Sequence, residues 1–156
     1  MMLLVSDSKT KAQPRFRLHT KDKAELLFAI MRILAHEDAN ISFEGRLSHT
    51  ELLKIAGASV LETEMLKRNT TLPRMDFLVL PLTREMVPAI EKAVVSKIAF
   101  KGHAGIVHVQ VERQGHLLFV ACDNFHEDCV WVSDAVPASF LVKLVENQVL
   151  HSYEPA

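Results

Sequence analysis

Asp22-Lys23-Ala24-Glu25-Leu26-Leu27-Phe28-Ala29-Ile30-Met31-Arg32-Ile33-Leu34 repeats its aliphatic residues at spacings of three and four, with Leu26, Leu27, Ile30, Ile33 and Leu34 on one helical face. Asp22 and Glu25 stand in capping-box spacing at its start, so the pattern predicts a helix over about 22–37. Upstream, Arg15-Phe16-Arg17-Leu18-His19 alternates polar and apolar residues; downstream, beyond a break at Asn40, Ile41-Ser42-Phe43-Glu44-Gly45-Arg46-Leu47 alternates again. Alternation of this kind is the pattern of a half-buried strand. The opening therefore reads as strand, helix, strand.

Working outward, Ser48 and Glu51 repeat the capping-box spacing, and Gly57 is placed to close a short helix, so residues 48–75 are expected to be an insertion that is helical in part. Residues 58–75 read as a loop, or as an excursion with a strand at Ser59 to Thr63. Asp76-Phe77-Leu78-Val79-Leu80 is an apolar run of strand length, and Val87, Ile90, Val94 and Ile98 form a second helical stripe with Pro88 in its first turn. Ile106 to Val111 alternates as a strand. The expected order is βαββαβ, the arrangement of ferredoxin-like domains, over residues 15–113. His116 to Cys122 and Cys129 to Ser133 then read as a hairpin, followed by a helix opened by Asp134 and Pro137 and a returning strand at Val149 to Tyr153. The fold class is α+β in one domain: a polar arm over 1–14, expected to be flexible, then the core, then a hairpin-helix unit over 114–156.

Residues 22–41 resemble the opening of ACT regulatory domains, with Asp22, Leu27, Ile30, Leu34, Ala35, Asn40 and Ile41 at matching positions. Ala24 and Glu25 stand where that family has Pro-Gly, and Asp38 where it has a later glycine. The resemblance implies an ACT-like, ferredoxin-like core, binding of a small molecule such as an amino acid near Asp22 and Asn40, and a homodimer.

Charge and composition narrow the function classes. The 156 residues include 18 Lys and Arg against 19 Asp and Glu, a net of −1, and 49% of them are apolar, enough for one core without metal or disulfide support. Bulk charge therefore does not suit coating of nucleic acid or an anionic membrane. No apolar run reaches membrane-spanning length, and Met1 to Val5 is too short for a secretory leader, so the expected location is cytoplasmic, with reduced thiols at Cys122 and Cys129. The near-zero total hides an asymmetry: residues 1–113 carry 17 basic and 13 acidic side chains, whereas residues 114–156 carry one and six. Asp123, Glu127 and Asp128 gather at the hairpin tip with Asn124 and His126, joined by Asp134 beyond it. Such a loop can steer a basic protein partner.

No Gly-x-Ser-x-Gly elbow and no phosphate-cradling glycine motif occurs, so neither serine-hydrolase chemistry nor nucleotide use is indicated. Cys122, His126 and Cys129 combine thiolate and imidazole, both metal ligands, in a spacing that is not one of the strong zinc patterns. The same cysteines could serve as nucleophiles with His103, His108, His116 or His126 as base. Alternation also places Arg15, Arg17, His19, Ser42, Glu44, Arg46, His108 and Gln110 on one polar sheet face, without the aromatics that RNA-binding sheets use for base stacking. That face is expected to be solvated or covered by the C-terminal unit or a second subunit. The leading expectation is a non-catalytic regulatory or immunity-type protein, with no cofactor, that meets its protein partner at Asp123, Asn124, His126, Glu127 and Asp128. An amino-acid sensor at Asp22 and Asn40, and a metal- or thiol-dependent enzyme at Cys122, His126 and Cys129, are the alternatives.

Overall fold

The computed structural model describes residues 14–72, 74–94 and 105–156. The stretch 1–13, which holds most of the expected arm, and the positions Ile98, Gly102 and His103 lie outside the described residues. Seven strands form one antiparallel sheet: β1 Phe16–Thr20, β2 Ala39–Gly45, β3 Asp76–Pro81, β4 Ile106–Arg113, β5 His116–Ala121, β6 Val130–Val132 and β7 Leu150–Pro155. The helices are α1 Lys23–Leu34, α2 Val87–Val94 and α3 Ala138–Glu146. The α+β class stands, and no helix among the described residues is long and apolar enough to cross a membrane.

Local chemistry accounts for the elements. The Glu25 amide donates to Asp22 Oδ1 at 3.1 Å, satisfying one of the free amides of the first turn of α1; losing this cap would cost about 1 kcal/mol. Leu26, Leu27, Ile30, Met31 and Leu34 are buried, and they join Ile90 and Val94 of α2 and Leu141 and Leu144 of α3 in one core against the sheet. The sheet's share of that core comes from alternate residues in register: Phe43 opposite Leu78 and Val109, Ile41 opposite Leu80 and Val111, then Phe119 opposite Val132. Gln114 and Gly115, both at positive φ, make the tight turn between β4 and β5, and the pairing of those strands follows from it.

The strand order, β3-β2-β4-β5-β6-β1-β7, differs from the expected core. A ferredoxin-like arrangement seats the first strand beside the fourth, but here β5 and β6 intervene, and β1 pairs with β6 and β7. The reason is hydrogen-bonding competition: β2 pairs with both β3 and β4, and β4 turns straight into β5, so neither edge of β4 is free for β1. The C-terminal unit therefore extends the sheet, and β1 is built into it. The helical insertion is also smaller than expected, with single 3₁₀ turns at Leu47–His49 and Leu52–Lys54, while the reading of Ser59 to Thr63 as a strand reduces to one bridge between Ser59 and Val79.

The second face of the sheet, opposite the helices, carries Asn40, Ser42 and Glu44 on β2 beside Glu112, Gln110 and His108 on β4. Residues 59–72 form a strap across this part of it. Leu66 anchors the strap by burial against Phe77 and Val79, and the Arg68 guanidinium lies over the Phe77 ring, 5.2 Å from its centre. Strap amides meet the polar side chains beneath: Lys67 donates to Gln110 Oε1 at 3.2 Å, and Asn69 and Thr70 donate to the two oxygens of Glu44 at 2.8 and 3.2 Å. Glu112, 8% exposed, accepts from Thr63 Oγ1 at 2.9 Å and from Asn40 Nδ2 at 3.2 Å. A buried carboxylate is costly unless its oxygens are bonded, and here donors in the strap and on the strand supply the bonds.

Candidate functional site

The β5–β6 connection folds into an unusual backbone. Asp123, Asn124 and Phe125 all have left-handed φ, at 51°, 58° and 60°. Asp and Asn tolerate this region because their short side chains bond locally, whereas each residue held there costs roughly 1–2 kcal/mol and Phe gains no such relief. Three features hold the turn. The Asn124 amide donates to Val107 O at 2.7 Å, the Asp123 amide donates to His108 Nδ1 at 3.1 Å, and Phe125, only 5% exposed, packs its ring 6.5 Å from that of Phe119. Cys122 and Cys129 then close the loop. Their Cα atoms are 5.4 Å apart, within disulfide range, and the sulfurs are joined.

This corrects the expectation of reduced thiols: hairpin pairing between Ala121 and Val130 brings the flanking cysteines face to face. It also removes the basis of the metal reading at Cys122, His126 and Cys129 and of a thiolate nucleophile, because each sulfur is bonded to the other. His126 Nδ1 meanwhile accepts the Asp128 amide at 3.2 Å. Among the described residues no group of three His, Cys, Asp or Glu side chains is placed to hold a metal ion.

Side chains of Asp123, His126, Glu127 and Asp128 are exposed around the loop, and Asn124 is half-buried. The structure thus brings together the five residues expected to meet a partner. Asp134 is elsewhere: it follows β6, at the end of the hairpin away from the tip. Asp22 and Asn40, the expected ligand pair, are engaged in the fold as the α1 cap and as a donor to Glu112.

Beside the loop, where the strap meets the end of the sheet, lies a cavity of about 850 Å³ whose charged lining is Arg46, Arg74, Asp76, His108 and Asp123. A register shift between Glu44 and Gly45 shapes its floor. Thr70 Oγ1 is 2.9 Å from His108 Nε2. Since Nδ1 accepts the Asp123 amide, the neutral ring carries its proton on Nε2 and donates it to Thr70. Burial holds the His108 imidazole below its ordinary pKa of 6.5, against the carboxylates of Glu44 and Asp123, which pull it upward. Alternation had placed His108 and Arg46 on the polar face. Arg74 and Asp76 reach the cavity through the strap's return to β3, which no sequence pattern signalled. Comparison with protein-family models, with curated proteins and with solved structures finds no match to this chain.

Proposed function

We propose that this is a non-catalytic binding protein of the small regulatory or immunity-inhibitor kind, acting in the cytoplasm, that engages a basic protein partner through the loop from Cys122 to Cys129. One observation carries the reading: the loop's acidic side chains project from a backbone already fixed by the cysteine pair, by two hydrogen bonds that its amides donate to β4 and by the buried Phe125 ring. A surface ordered before binding loses little conformational entropy on association, and clustered carboxylates raise the encounter rate with a basic partner.

The test uses the full chain immobilised in wild-type form and as E127K/D128K, which leaves the left-handed positions untouched. Lysate from the protein's own cells is passed over both at low and high salt, and the retained proteins are identified. A basic protein held by the wild type, released by salt and absent from the charge-reversed column is expected. Equal retention on both columns would overturn the assignment.

A further inference from the structure

The partner loop is the one segment whose ends are joined by both of the chain's cysteines, and those cysteines are half-buried, within reach of solvent. Between them lie three successive left-handed residues, a backbone that exists only while something holds it. The anchors on the β4 side are backbone bonds from Asp123 and Asn124, both adjacent to Cys122. On the other side, the Cys129 amide donates to His126 O at 2.8 Å and Cys122 donates to Cys129 O at 3.1 Å. Cutting the covalent link would leave the strained turn with these bonds, the bond from the His126 amide to Cys122 O at 3.1 Å and the packing of the Phe125 ring. In a reducing compartment, moreover, a bonded cysteine pair is generally transient and regulatory rather than permanent.

We propose that the Cys122–Cys129 bond is a redox latch on the binding loop: closed, it holds Asp123, His126, Glu127 and Asp128 in the partner-ready arrangement; opened, it lets the left-handed turn relax away from His108 and the adjoining cavity. The inference rests on the reading of this loop as the partner surface. The opening reaction is thiol–disulfide exchange with a dithiol reductant. One thiolate of the reductant attacks the sulfur of one cysteine, the Cys–Cys bond breaks, and the other cysteine leaves as a thiolate that takes up a proton. The reductant's second thiol then displaces the first cysteine, which is protonated in turn. Two electrons and two protons pass to the protein, and the reductant closes into a cyclic disulfide.

The experiment compares the intact protein, oxidised with a cyclic dithiol disulfide or reduced with dithiothreitol, and a C122S/C129S variant in both buffers. Mass spectrometry establishes the state, the oxidised chain being two hydrogens lighter. Amide hydrogen exchange is then followed across residues 122–129, with β2 as internal reference. Reduction is expected to speed exchange of the Asp123, Asn124 and Cys129 amides by about tenfold or more while β2 is unchanged, and the double serine variant should match the reduced form in both buffers. Capture of the basic partner should weaken in parallel. Identical loop exchange in the oxidised and reduced protein, or failure of the oxidant to remove the two thiols, would overturn the latch. Capture that is abolished by E127K/D128K yet equal in both redox states would overturn its regulatory role and leave the partner surface standing. Redox-dependent exchange with capture indifferent to charge reversal would overturn the partner surface alone.

Discussion

Replacing Glu44 by alanine should loosen the strap and destabilise the whole sheet. Glu44 is 2% exposed, and its two oxygens accept the Asn69 and Thr70 amides at 2.8 and 3.2 Å. Hydrogen bonds to a charged acceptor contribute about 1.5–3 kcal/mol each, so the pair contributes about 3–6 kcal/mol before the cost of burying the carboxylate. Truncation removes that burial cost, which offsets part of the loss, but leaves the half-buried amides of Asn69 and Thr70 without their acceptors. The net expectation is a destabilisation of about 2–4 kcal/mol, or roughly 4–16 °C in Tm for a chain of this length. Glu44→Gln, which keeps one carbonyl acceptor but turns an amino group toward the second amide, should lose about half as much. Urea unfolding followed by circular dichroism gives the global figure, and hydrogen exchange at Asn69 and Thr70 gives the local one. A loss below about 0.5 kcal/mol for Glu44→Ala, with protection of both amides unchanged, would refute the view that this carboxylate holds the strap.

Gly45→Ala should cost about 2–3 kcal/mol, because at φ 153° a new Cβ would collide with the Gly105 carbonyl oxygen and stand 2.9 Å from the Val107 nitrogen; thermal melts of the purified variant check this. His108 should make the protein less stable in mild acid: its folded pKa lies below 6.5, so its contribution is complete above pH 6.5 and is lost as pH falls through the folded value. His108→Gln should accordingly flatten the difference between unfolding curves measured at pH 7 and at pH 5, and an unaltered pH dependence would show that other groups govern it.

Part of this molecule could be read from the chain alone because the relevant physics is local. Asp22 caps α1 within one turn, and the three- and four-residue spacing of Leu26, Leu27, Ile30 and Leu34 turns them to one side wherever the helix sits. Alternation in β2 and β4 likewise fixed which residues share a face, so Phe43 and Val109 go to the core and Glu44 and His108 to the other side. The exposed acidic residues of the hairpin tip followed from its polar composition.

Which strands become neighbours is not a local matter. The preference of β1 for a place between β6 and β7 over one beside β4 depends on edge hydrogen bonds formed with residues more than a hundred positions away, and alternation in Arg15 to His19 is the same in either place. The burial of Glu44, Gln110 and Glu112 depends on a strap whose sequence has no repeating pattern, since it binds mainly through its backbone amides and those are common to every residue type. The pairing of Cys122 with Cys129, and the meeting of Arg46, Arg74, His108 and Asp123 around one cavity, likewise follow from register and chain return. Local pattern specified the helices and strands outside residues 48–75, their inward faces and an acidic tip. That the tip is closed by a disulfide, held in a left-handed backbone and set beside a half-buried imidazole emerges only from the tertiary arrangement, because those properties arise between segments that no local pattern connects.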